Sequence, residues 1–193
     1  MSVTFIRAAR SRGYICIGLA DGEQRLTLTV RESDYVLCGS PRQGDTVDGR
    51  TLDLFTFSDE CYRASLAALR MLSFSDSSER TLTMKLVRKG ISRGVAESAV
   101  REMVRLGYIN EREQLLRLVA REAASLRGPL RIAAKLGSKG YKRGDIEWAI
   151  DSLVRDGQVD FDENARLLVE EKLTRGATDD EIKALLYKNG YKI

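Results

Sequence analysis

Histidine is absent from this chain of 193 residues, which removes the commonest general base and the commonest metal-binding side chain together. Cysteine is scarce: Cys16, Cys38 and Cys61 are odd in number, and no two form a C-x-x-C pair. A disulfide framework or a zinc site is therefore not expected, and the three read as reduced structural thiols. No apolar run approaches the length of a membrane span. The amino-terminal stretch MSVTFIRAARSRG lacks the apolar core of a signal peptide, so the expected location is cytoplasmic. Neither a G-x-x-x-x-G-K-[ST] loop nor a G-x-G-x-x-G turn occurs, and no nucleophile is nominated by a partner. The chain reads as a non-enzyme, with no catalytic residue, metal, cofactor or small-molecule substrate expected. With only two prolines and 31% charged residues, a helix-rich protein is expected.

Charge is present in abundance but unevenly. Residues 63–143 hold 18 basic against 7 acidic side chains, whereas residues 144–193 hold 7 against 12. A basic middle beside an acidic end points to a polyanionic or acidic partner for the middle segment, or else to an arginine-rich solvated surface.

Two periodicities divide the sequence. Ile15, Ile17 and Leu19 alternate with polar or small neighbours, Asp21-Gly22 gives a turn, and Leu26, Leu28 and Val30 alternate again. Period two on both sides of an Asp-Gly turn predicts a β-hairpin. Val3 to Ala8 reads as a third strand, Ser33 to Cys38 as a short helix stopped by Gly39, and residues 46–57 fit either strand or helix. From about Ser58 the period is helical, with Leu66, Leu69, Met71 and Leu72 marking a first helix.

One phrase then returns at a fixed interval of fifty: KLVRKG at 85–90, KLGSKG at 135–140 and LLYKNG at 185–190. Leu82, Ile132 and Ile182 correspond, as do Leu86, Leu136 and Leu186, and the glycines Gly90, Gly140 and Gly190. Gly107 and Gly157 stop a further helix in two copies, and Asn110 and Asp160 each stand three residues before a glutamate, as helix N-caps do. Thr178 before Asp179-Asp180-Glu181 reads as another N-cap, its acids serving the helix dipole rather than a metal. What survives the interval is caps and one apolar face, the minimum for stacked helical units. The expected fold is mainly α: tandem three-helix repeats forming an elongated curved array after a small β-hairpin-containing module. The expected segments are 1–57 for the module, then 58–109, 110–159 and 160–193, the last copy ending without a third helix. Tyr108, Tyr141 and Tyr191 follow cap glycines and are expected in the core, while Trp148 is either an interface anchor or packed against the third copy.

The scaffold does not require the basic residues that ride on it. Arg131, Lys135 and Lys139 fall at i, i+4 and i+8, on one helical face. Lys85, Arg88 and Lys89 occupy the same helix one copy earlier. Arg93, Lys142 and Arg143 extend the stripe at the following turns, and Arg112, Arg117, Arg121 and Arg127 add a basic run on the next helix. These thirteen side chains are the expected partner-binding surface. Alternatives are a DNA-binding helical protein that uses a basic helix, or a scaffold for another acidic partner.

KLVRKGISRGVAESAVREMVRLGYINERE, residues 85–113, resembles the first repeat of the RecX regulatory proteins of bacteria. GPLRIAAKLGSKGYKRGDIEWAIDSLVRDGQVDFDE fits the same family, and the hairpin with the GSPRQGDTVD loop is similar to the β extension of some Gram-positive RecX proteins. Two positions depart from the pattern. Ser77-Ser78-Glu79 lacks the arginine often found there, and Gly157-Gln158-Val159 replaces Gly-Tyr-Leu. The resemblance implies a modulator of RecA in recombination, DNA repair and the SOS response. Such a protein binds RecA and its filament on single-stranded DNA and inhibits strand exchange, ATP hydrolysis and co-protease activity, with weak direct DNA binding as a further expectation.

Overall fold

In the computed structural model, residues 3–11, 13–174 and 176–192 are described, positions 6, 11 and 171 by their backbone alone. The amino-terminal part is a four-stranded antiparallel sheet of β1 (Val3–Ser11), β2 (Tyr14–Asp21), β3 (Gln24–Arg31) and β4 (Thr46–Val47), in the order β3-β2-β1-β4. Asp21 pairs with Gln24, so Gly22 and Glu23 make a two-residue loop, and Gly22 takes the positive φ of 60° that such a loop demands. Alternation sends Ile15, Ile17, Leu19, Leu28 and Val30 to one face, where they bury with Phe5, Tyr35 and Phe55. Full burial of Ile15 or Ile17 is worth about 2 kcal/mol each.

A short helix, α1 (Glu32–Leu37), follows β3, and Gly39 turns the chain at φ 80°. The ambiguous stretch 46–57 resolves into both of its options. Two residues form β4, and α2 (Gly49–Leu72) starts directly afterwards, well ahead of Ser58. The Asp48 side chain fixes that start by accepting from the Thr51 amide at 2.7 Å. Leu66 and Leu69, expected on the buried face of this helix, are 49% and 36% exposed. Small side chains are buried instead: Cys61, Ala64 and Ala68, where α2 lies close along α4 (Arg93–Arg105). Ser58 and Asp59 of α2 meet the edge of the sheet, accepting from the amides of Arg31 at 2.9 Å and Thr29 at 2.7 Å. Half of the β3 edge is thereby closed to further strands.

The repeat holds register to the residue. α3 (Glu79–Arg88), α6 (Pro129–Ser138) and α9 (Asp179–Asn189) begin fifty residues apart, as do α4 and α7 (Arg143–Arg155), and α5 (Glu111–Ala123) and α8 (Phe161–Leu173). Asn110 caps α5 and Asp160 caps α8 through their side chains, and Thr178 with Glu181 forms a complete capping box on α9. Gly90, Gly140 and Gly190 take φ of 84–89° after the second helix of each copy, the left-handed cap that a β-carbon would strain.

The described residues form nine helices in two compact units. One comprises Met1–Ser75 and Leu82–Tyr108, the other Asp76–Thr81 and Ile109–Ile193. Because α2 packs on both β3 and α4, the sheet and most of the first copy cluster together, and position 57/58 lies inside α2. Core residues of the second unit include Leu115, Val119, Ile132, Leu136, Tyr141, Ile146 and Ile150. Tyr141 and Tyr191 are buried as expected, but Tyr108 is 52% exposed. The difference follows from the repeat: Tyr141 and Tyr191 succeed the glycine of a second helix, whereas Tyr108 succeeds that of a third. No described helix is long and apolar enough to cross a membrane.

Candidate partner-binding surface

The thirteen basic residues divide between the units. Lys85, Arg88, Lys89 and Arg93 lie in the first, and Arg112, Arg117, Arg121, Arg127, Arg131, Lys135, Lys139, Lys142 and Arg143 in the second. Several are engaged within the protein. Lys135 on α6 directs its ammonium at both oxygens of Glu122 on α5, at 2.6 and 2.8 Å, and Arg127 bonds the same carboxylate. Glu122 is 3% exposed. Burial pushes its carboxyl upward, but the hydrogen bonds from Lys135 and Arg127 outweigh that, leaving it below the usual range. Two of the expected contact residues are thus the counter-charges of a buried acid.

Arg131 joins successive copies of the repeat. Its guanidinium donates to the Lys188 carbonyl at 3.0 Å and to Asn189 Oδ1 at 3.1 Å, at the end of α9. Beside it the Gly128 amide donates to the Asn189 carbonyl at 2.8 Å, and the Leu130 amide to the Gly190 carbonyl at 3.1 Å. Free amides at the start of α6 therefore meet free carbonyls at the end of α9, which satisfies both helix ends at once. One copy earlier the same junction is made differently: the hydroxyls of Ser78 and Thr81 donate to the Lys139 carbonyl at 2.8 and 2.7 Å. Lys139 serves there through its backbone, and its side chain remains exposed.

The other cations sort by partner. Arg117 bridges Glu113 at 2.8 Å and Asp76 at 3.3 Å. Arg93–Glu97 and Arg143–Glu147 are exposed i,i+4 pairs at 2.8 and 2.7 Å, of small energetic consequence. Arg112 lies 5.0 Å over the ring of Trp148, so Trp148 holds a cation of α5 against α7. The Lys142 charge offsets part of the upward push that burial exerts on the Glu111 carboxyl, which itself accepts from the Glu79 amide. Lys85 is half-buried, while Arg88, Lys89, Arg121 and Lys139 present exposed side chains. Sequence reasoning missed Glu122 as the centre of the cluster; its one signal was an acid standing three residues after Val119 and seven after Leu115, on the apolar face of α5 rather than on its arginine face.

No family model and no curated protein matches the chain by sequence. Its structure does have counterparts. A crystal structure of regulatory protein RecX superposes with a TM-score of 0.72 at 18% identity, covering 98% of this chain and 95% of that one. The fold is the RecX fold. A RecX structure from Lactobacillus salivarius matches 68% of this chain and 97% of its own, at 18% identity and a TM-score of 0.47. The RecX fold thus accounts for both the amino-terminal sheet and the helical repeats, since the first match spans nearly the whole of each chain.

Proposed function

We propose that this protein is a RecX-type regulator that binds RecA and its filament on single-stranded DNA and restrains ATP hydrolysis, strand exchange and co-protease activity without chemistry of its own. The observation supporting this reading is the end-to-end correspondence with a protein named for regulation, at a TM-score of 0.72. The tandem repeat and the basic residues 63–143 agree with it, because stacked helical units present long surfaces to long partners. Arg88, Lys89, Arg121 and Lys139 are the cations best placed to meet that partner, being exposed rather than committed to the buried acid or to the junctions between copies.

The test is a titration of RecA on single-stranded DNA while ATP hydrolysis is followed. A fall in rate that saturates with added protein is expected. An unchanged rate at several-fold excess over filament binding units overturns the reading.

A further inference from the structure

The sheet has a second face that no part of the core uses. Pairing across the three long strands sets Arg7, Gly18 and Thr27 in one row, Ala9, Cys16 and Thr29 in the next, and Thr4, Ala20 and Arg25 in a third. A bulge between Phe5 and Arg7 keeps Arg7 on this side, opposite Gly18, while Phe5 remains on the buried side opposite Leu19. Arg7, Ala9, Arg25 and Thr27 are exposed. None of these rows contains a carboxylate, although residues 1–62 as a whole hold more acids than bases. Asp34, Asp45 and Asp48 bond a hydroxyl or amides in the loop after α1 and on α2, and Asp59 accepts from the Thr29 amide at the edge of β3.

The same face ends in an aromatic ring. Tyr14 is the next outward residue of β2 after Cys16, half-buried, with its ring 4.9 Å from that of Tyr62. Gly18 is buried between its exposed strand neighbours Arg7 and Thr27, and the small side chains of Ala9, Ala20 and Thr27 leave the surface flat enough for an extended chain to lie on. Arginines flanking that surface meet phosphates, and a ring held at one end by a second ring offers a platform for an unpaired base.

We propose that this open face of the sheet binds single-stranded nucleic acid, with Arg7 and Arg25 on the phosphates and Tyr14 stacking a base. The site lies outside the helical repeats and needs no RecA, so it stands or falls separately from the proposed function.

The experiment is fluorescence anisotropy of a labelled oligodeoxythymidylate with the full chain and no other protein. Salt-sensitive binding is expected. The double variant Arg7→Glu/Arg25→Glu should weaken it about tenfold or more and reduce the log–log salt slope by about 1.4, the contribution of two phosphate contacts on a single strand. Arg7→Lys/Arg25→Lys should keep most of the slope. Both arginines are exposed, so folding is not at issue. Position is read independently through Cys16 in a Cys38→Ser background: bound oligonucleotide should slow alkylation of Cys16 severalfold. Absence of binding at low salt, an unchanged slope in the reversal variant, unprotected Cys16, or equally tight binding of duplex would each overturn the assignment.

Discussion

The Lys135 ammonium lies 2.6 Å from an oxygen of Glu122, a carboxylate that retains 3% of its exposure. The pair ties α6 to α5, and Arg127 closes the third side from the loop that follows α5. A buried acid with two cationic partners is strongly coupled to its surroundings: removing its charge leaves both cations facing a site built for an anion.

Glu122→Gln should therefore destabilise the protein by about 2 kcal/mol, a fall of about 4–8 °C in melting temperature. Lys135→Met should cost less, since Arg127 still serves the carboxylate. Because the folded-state pKa of Glu122 is lowered, its contribution is complete above the unfolded value of about 4.3 and disappears as pH falls through the lowered folded value. The gap in melting temperature between the native protein and Glu122→Gln should consequently shrink on acidification, as read by circular dichroism at a series of pH values. A gap that stays constant would mean that the carboxylate charge is not what stabilises the pair.

Gly128 marks the junction between the second and third copies. A β-carbon there would come within 2.6 Å of the backbone of Gly190 and 2.8 Å of the Tyr191 amide. Gly128→Ala must push α6 away from the end of α9 and should cost about 2 kcal/mol. Gly137 provides the contrast: it lies within α6, and a β-carbon there would meet nothing within 4 Å. Gly137→Ala should stabilise by about 0.5–1 kcal/mol through helix propensity alone. Urea denaturation of the two variants checks both signs.

The contrast between these glycines also shows what a sequence can and cannot disclose. The interval of fifty, the cap glycines and the capping side chains Asn110, Asp160 and Thr178 were all legible, because each is a local requirement repeated in register. Where α2 begins was not, since its start depends on Asp48, a single side chain in a stretch without clear period. Leu66 and Leu69 misled for a related reason: helical spacing identifies an apolar residue but not whether a neighbour reaches it, and α4 packs on alanines instead. The basic stripe was legible as a stripe. Its use was not, because Glu122 lies on another helix and the partners of Arg131 lie fifty-seven and fifty-eight residues away.

Tyr141 supplies an alkaline counterpart to Glu122. Its hydroxyl donates to Gln114 Oε1 at 3.0 Å inside the second unit, and burial raises its pKa to about 12. The unfolded chain loses this proton near pH 10 while the folded chain keeps it. Stability is thus fully present below about pH 10 and is lost as pH rises toward 12, by about 2–3 kcal/mol in all. Burial also raises Tyr35 and Tyr191, so absorbance titration should find late-ionising tyrosines, with one fewer in Tyr141→Phe. That variant should also cost about 1–2 kcal/mol at neutral pH, because Gln114 is left buried without its donor.

Function and scaffold can be separated by choice of cation. Lys135→Glu sets a second carboxylate against Glu122 and should unfold the region, so lost activity there says nothing about a partner. Arg88→Glu/Lys89→Glu and Arg121→Glu/Lys139→Glu alter exposed side chains and should leave the melting temperature nearly unchanged. If these surfaces meet RecA filaments, each pair should move the midpoint of inhibition about three- to tenfold toward higher protein concentration, and more so at low salt. Inhibition unaltered in both pairs would assign the exposed cations to solvation and return the search for the contact to the engaged ones, Arg112 over Trp148 first among them.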